Sequence, residues 1–191
     1  RSVSRGLGDV YKRQMLVSDQ LLHGKVVYST QAHAKIKSTN IEAAKAFPGV
    51  HAVLNFEDIP GQNDMGPVIH DEPVLADGAV NFVGQAIFLI AAETEDIAHE
   101  AAKLVEIEYE PLPPVLSIKE AIAAGSILHP PRKIECGDVE TGFTNSENVI
   151  EGELEVGGQE HWYLETQTCL CMPGERDELV AYSSTQHPSE T

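Results

Sequence analysis

Eight consecutive residues, Gln85–Ala92 (QAIFLIAA), carry one polar side chain among them and constrain this chain more than any other segment. So short a run cannot cross a bilayer, which takes about 20 apolar residues. Gly84 precedes it and Glu93 follows it, so it reads as a strand, central and covered on both faces. The next segment has a different period. TEDIAHEAAKL, from Thr94, puts Ile97, Ala101 and Leu104 at helical spacing, with Glu95 and Asp96 in the first turn, where the helix dipole favours acids. Val105–Tyr109 (VEIEY) then alternates apolar and acidic residues, as a strand with one wet face does. Strand, helix and strand in close succession point to mixed α and β layers.

Further elements extend that pattern. Lys25–Ser29 (KVVYS) reads as a short buried strand and Ala32–Lys37 (AHAKIK) as a second. Ser38, Thr39 and Asn40 are N-cap candidates for a helix from about Ile41 to Ala46, which Pro48-Gly49 stops before the strand Val50–Leu54. These pieces suggest a β–α–β unit with a short crossover helix. Residues 57–78, rich in Pro, Gly and Asp, read as an extended loop, and Val80–Val83 as a strand. Pro111, Pro113 and Pro114 end the VEIEY strand. Ser117–Ala124 reads as a helix with Ser117 as N-cap and Glu120 completing a capping box. A Gly/Pro/polar stretch, 125–147, marks a domain boundary. Beyond it, Val149–Val156 (VIEGELEV), His161–Leu164, Thr168–Met172 and Leu179–Ser183 are β candidates, with Pro173-Gly174 turning the last two into a hairpin. The first part is α/β and the second mostly β.

Charge excludes some functions. The 191 residues hold 30 acids and 13 basic residues, a formal charge of -17, and both nucleic acid and anionic membrane want a basic patch instead. Four basic residues and one acid fall in 1–14, so 15–191 carries -20 behind a +3 leader. That leader has no apolar stretch and is no secretory signal. Ser4–Gln14 (SRGLGDVYKRQ) looks like the translation of a transposase-type sequencing adapter, so residues 1–14 are set aside as non-native. An odd count of cysteines (136, 169 and 171) without a signal peptide favours a reducing compartment, the cytoplasm. Cys169-x-Cys171 puts two thiols on one strand face, but no Cys/His pair follows at ligand spacing, so buried structural thiols are expected.

No P-loop, GxGxxG, HExxH or GxSxG occurs. The histidines are scattered and read as surface or satisfied polar groups, with His51 the one expected to be half-buried. The acidic loop Asp64–Asp71 reads as solvated, since its acids are too few and its spacing is not an EF-hand. One segment stands apart, GGQEHWYLET at 157–166. Two glycines follow a predicted strand, and hydrogen-bonding and aromatic groups, with the only Trp, follow at once. Glycines there let a ligand approach the backbone. The residues alone equally allow a β-turn with Trp162 anchoring a domain interface.

The chain resembles the molybdenum-binding subunit or region of the xanthine dehydrogenase and aldehyde oxidase family. YSTQAHAKIKSTN (28–40), PGVHAVLNFEDIPGQNDMGPVIHDEPVLADGAVNFVGQAIFLIAAET (48–94), YEPLPPVLSIKEAI (109–122), GDVETGF (137–143), GGQEHWYLET (157–166) and STQHPSET (184–191) carry the resemblance in order. It implies an α+β chain: an α/β hammerhead domain over 15–125, a linker over 126–146, and the truncated start of a molybdopterin-binding domain over 147–191. It implies that Gln159 donates its amide N–H to an oxo ligand of the metal, with Gly157 and Gly158 letting the backbone pass close. A neutral amide suits that task, since it stabilises charge on a metal-bound oxygen without competing as a ligand. His161, Trp162, Tyr163 and Glu165 are supports for that turn.

The family's reaction is oxidative hydroxylation of a carbon beside a ring nitrogen, or of an aldehyde, with electrons leaving through iron–sulfur clusters to FAD. The resemblance places the catalytic base and the substrate-binding residues beyond residue 191. The chain is thus expected to be a fragment with no catalytic residue of its own, inactive alone. Its parent is expected to be an oligomeric cytoplasmic enzyme of the xanthine branch, acting on purines with iron–sulfur and FAD domains or subunits. The alternatives are an aldehyde oxidase-like, carbon monoxide-oxidising or other N-heterocycle hydroxylase, and a non-catalytic hammerhead-like assembly module.

Overall fold

The computed structural model describes residues 21–66, 68–160, 162, 164, 167–176 and 178–186. The chain divides into two compact units, Arg1–Pro114 with Glu165–Thr191, and Val115–Leu164.

In the first unit, β5 (Ala86–Ala92) is the central strand of an antiparallel sheet, between β1 (His23–Tyr28) and β3 (Val50–Leu54). Ile87 and Phe88 point to opposite faces, yet both are buried, so the sheet is covered on both sides as its apolar run requires. Ile90 is 0% exposed, a burial that stabilises by about 1.5–3 kcal/mol. A second antiparallel sheet has β2 (Ala34–Asn40) between β4 (Ala79–Val80) and β6 (Glu106–Pro111). In β6, Ile107 and Tyr109 turn inward and the glutamates outward, as the VEIEY alternation dictates. Both sheets contribute to one core, where Ala34 and Val80 join Val53, Ile87 and Ile90.

Helix α2 (Glu95–Ala102) packs on the first sheet through Ala98 and Ala101, which are buried. Thr94 caps it, its Oγ1 accepting the Ile97 N–H at 3.2 Å. Gly49 links α1 (Glu42–Lys45) to β3 with a φ of 85°, and a Cβ there would stand 2.8 Å from Ile97 Cδ1, so only glycine fits.

Three expectations need correction here. Residues 38–40 lie in β2 rather than capping a helix; Ile41 is the N-cap of α1, although Asn40 Oδ1 still accepts the Glu42 N–H at 3.3 Å. There is no β–α–β unit: β2 and β3 belong to different sheets, and every described pairing is antiparallel. Local sequence cannot reveal this, because sheet membership is decided by long-range partners. The strand placed at Val80–Val83 stops at Val80, where Asn81–Gly84 turns the chain into β5.

The described hairpin of residues 167–186 follows its sequence signals. β7 (Cys169–Pro173) pairs with β8 (Leu179–Ser183) in antiparallel register.

The second unit contains α3 (Ile118–Ala124) and α4 (Val139–Thr144). The capping box of α3 is as expected: Ser117 Oγ accepts the Glu120 N–H at 3.2 Å and Glu120 Oε2 accepts the Ser117 N–H at 3.1 Å. Gly125 ends it in the left-handed region at φ 66°. The helix α4, capped by Asp138, lies where the sequence suggested only a loop. The strand expected at Val149–Val156 does not form. Ile150 is 97% and Leu154 87% exposed, and among the described residues no neighbouring strand receives their backbone hydrogen bonds. His161 and Tyr163, within the candidate strand His161–Leu164, lie outside the described residues.

Candidate functional site

Gly157, Gly158 and Gln159 sit in a segment without regular structure, all three exposed. Neither glycine has a left-handed φ, and a Cβ on either would meet nothing within 4 Å. Nothing in this unit's own packing therefore demands glycine at 157 or 158, in contrast to Gly49. Among the described residues no hydrogen bond engages the Gln159 amide, which leaves its N–H groups able to donate outward. Trp162 is 85% exposed. Its φ of 48° is a left-handed conformation that is costly for a bulky side chain. His161, Tyr163 and Glu165, the other expected supports of this turn, lie outside the described residues.

A cleft of about 540 Å³ lies elsewhere, in the first unit, lined by His23, Lys25, Glu95, His99, Leu170 and Tyr182 among others. His23 Nδ1 stands 3.6 Å from Glu95 Oε1. Gln159 and its glycines take no part in this cleft, and its polar groups form no metal set: among the described residues no three His, Cys, Asp or Glu side chains gather as one. Volume alone therefore does not make it the site.

The histidines do structural work. His33 Nδ1 is 3.0 Å from the Pro113 carbonyl, while the Leu112 N–H donates to the His33 carbonyl at 2.9 Å, fastening the end of β6. The His51 side chain is 52% exposed, half-buried as expected, and lies 3.3 Å from Glu93. In the acidic loop Asp64 accepts the Gly66 N–H at 2.9 Å and faces His70 Nδ1 at 2.6 Å. The Gly66 N–H, aided by His70, holds the Asp64 carboxyl below its ordinary value. These contacts make the loop a self-bonded turn rather than a cation site.

Sequence reading missed the polar fastenings of that region. Asn63 grips Leu75, donating from Nδ2 to its carbonyl at 2.8 Å and accepting its N–H at 3.0 Å. The buried Gln85 accepts the Asn81 N–H at 2.7 Å. Only the spacing in Asn81–Gln85, a polar residue on each side of a turn, was locally visible. The thiols also depart from expectation: Cys136, Cys169 and Cys171 are all exposed.

Comparison with known proteins gives two consecutive matches. Residues 8–113 match the family model described as aldehyde oxidase and xanthine dehydrogenase, a/b hammerhead domain, and residues 122–191 match that of a molybdopterin cofactor-binding domain. A xanthine dehydrogenase from Dictyostelium discoideum is 47% identical over 170 residues, 89% of this chain and 12% of that protein. A xanthine dehydrogenase/oxidase from Mus musculus is 44% identical over 87% of this chain and 12% of its own length. Among solved structures, an aldehyde oxidoreductase from Desulfovibrio gigas superposes with a TM-score of 0.78 at 26% identity, over 94% of this chain and 22% of that one. The chain thus spans about one eighth of the length of the curated relatives it matches.

Proposed function

The chain belongs to the aldehyde oxidase and xanthine dehydrogenase family, and from that premise we propose that it is part of a xanthine dehydrogenase-type molybdenum hydroxylase. The observation that carries this is the 47% identity to a xanthine dehydrogenase across nearly the whole chain. In this reading 15–125 is the hammerhead domain, 126–146 a linker and 147–191 the opening of the molybdopterin-binding domain. The parent acts on purines such as hypoxanthine and xanthine, passes electrons to iron–sulfur clusters and FAD, and is an oligomeric cytoplasmic enzyme. Among the described residues, no helix is long and apolar enough to cross a membrane.

The donor set fits the cofactor. When bound, molybdenum–molybdopterin supplies the redox chemistry of hydroxylation. Gln159 offers neutral amide donors, which orient and stabilise a charged oxygen without displacing it. Gly157 and Gly158 leave the backbone bare on a side that the chain itself does not fill, which suits close approach by a large group. The chain contributes no catalytic base in this reading.

Gln159→Ala in the full-length enzyme tests the assignment. Expected is at least a tenfold loss of xanthine turnover with an altered molybdenum paramagnetic signal and unchanged melting, on the scale of losing one preorganised donor. Unchanged kinetics with an unchanged signal refute the role of Gln159. A second reading, an aldehyde-oxidising enzyme, is favoured by the likeness to the aldehyde oxidoreductase, and turnover of aldehydes but not xanthine by the full-length protein decides for it.

A further inference from the structure

We propose that Cys169 and Cys171 form a two-thiolate binding site for a soft monovalent cation of the copper(I) and silver(I) class. The two residues are separated by one position on β7, so the pleat sets both side chains on one face. Their sulfurs are 3.8 Å apart. The register shows what stands across from them: Ser183 opposite Cys169 and Ala181 opposite Cys171. Both neighbours are small, and both thiols are exposed. Leu170, Met172, Val180 and Tyr182 alternate to the other face, while Pro173 and Leu179 share the thiols' face at the turn end of the hairpin. The sulfurs are therefore a two-atom donor set with only small side chains directly across from them.

The donor chemistry selects the ion. Thiolates are soft ligands and favour soft cations. Structural zinc takes four protein ligands, and among the described residues no third His, Cys, Asp or Glu joins these two. An ion satisfied by two sulfurs fits what the strand supplies. Binding replaces two S–H bonds by two metal–sulfur bonds and releases two protons, with no change of oxidation state. Because the ligands are thiolates, binding strengthens as pH rises. Cys136 lies in the other unit and is an internal control.

The test uses the reduced 191-residue chain under anaerobic conditions, titrated with copper(I) against a chromophoric chelator. One equivalent is expected to bind to the wild type and to Cys136→Ser. Cys169→Ser and Cys171→Ser are each expected to weaken binding about 100-fold or more, because two linked ligands act at high effective concentration. Affinity should rise between pH 6 and pH 8. Wild-type affinity in Cys169→Ser or Cys171→Ser, loss of binding in Cys136→Ser, or no competition with the chelator overturns the proposal. A check on the unmutated chain avoids any folding defect. Phenylarsine oxide, which loses its oxygen as water on joining two thiols, should link to the peptide carrying Cys169 and Cys171. Absence of that adduct also counts against the site.

Discussion

Residues 21–114 bury a set of apolar side chains in a common core, and residues 115–164 bury none. Ile90 of the first region is fully buried in a sheet between two partner strands, while Ile150 of the second stands almost wholly exposed. No described residue of Val115–Leu164 is buried. Both regions carry an alternating signal, VIEGELEV in the second and VEIEY in the first. The difference is the presence of a second strand. Glu106–Pro111 finds β2 at its side, and the register from Ala34↔Pro111 to Asn40↔Glu106 satisfies its backbone. Residues 149–156 find no such strand among the described residues.

The largest expected effect tests burial directly. Ile90→Ala should cost about 2–5 kcal/mol of unfolding free energy in urea denaturation. Ile150→Ala should stay within about 0.5 kcal/mol. A comparable cost at both sites would break the contrast.

The glycines sharpen it next. Gly49→Ala places a methyl group against Ile97 in a left-handed backbone and should lower stability by about 1–2 kcal/mol. Gly157→Ala meets open space and should leave the melting temperature of this chain unchanged, while in the full-length enzyme it lowers molybdenum content. A drop in melting temperature for Gly157→Ala would mean that this glycine serves the chain's own fold.

Within the second region order is local, and so are the expected losses. Ser117→Ala removes the cap of α3 and should cost that helix about 1 kcal/mol, seen as faster amide exchange over 118–124, with exchange in β5 unaltered. The smallest effect is the pH response of the same cap. The Leu116 N–H, with Ser117, holds the Glu120 carboxyl below its ordinary value. Its folded pKa is depressed, so its contribution is present above the unfolded value of about 4.3 and is lost as pH falls through the folded value. Amide shifts of Leu116 and Ser117 should move in that acid range, and Glu120→Gln should abolish the movement.

Legibility in the sequence followed the range of the interactions. The apolar run of β5, the helix start at Thr94 and the Ser117–Glu120 box depend on residues within a few positions of one another; the first and last stand as read, and Thr94 proves to be the cap of a helix that begins at Glu95. The hairpin of 169–183 was legible as two β-prone segments around a short break, although Pro173 lies in β7 opposite Leu179 and the turn falls after Gly174. The separation of β2 and β3 into two sheets was not, because each is placed by a partner far along the chain, β6 and β5 respectively. Exposure of Cys169 and Cys171 was likewise hidden, since it depends on what lies over the strand rather than on the strand itself. For Gly157, Gly158 and Gln159 composition gave only permission for close approach, and family resemblance gave the role.

The order β1–β5–β3 also sets a timetable. The strands made first in the chain never pair with each other; each waits for β5, and His23 meets its partner only at Ala92. During synthesis at about 5–20 residues per second, β1 and β3 therefore stay unzipped for seconds after they leave the ribosome. Nascent chains stalled before residue 86 should be open to protease and to chaperones, and those released past α2 should close quickly, because the last strand to arrive joins both sides at once.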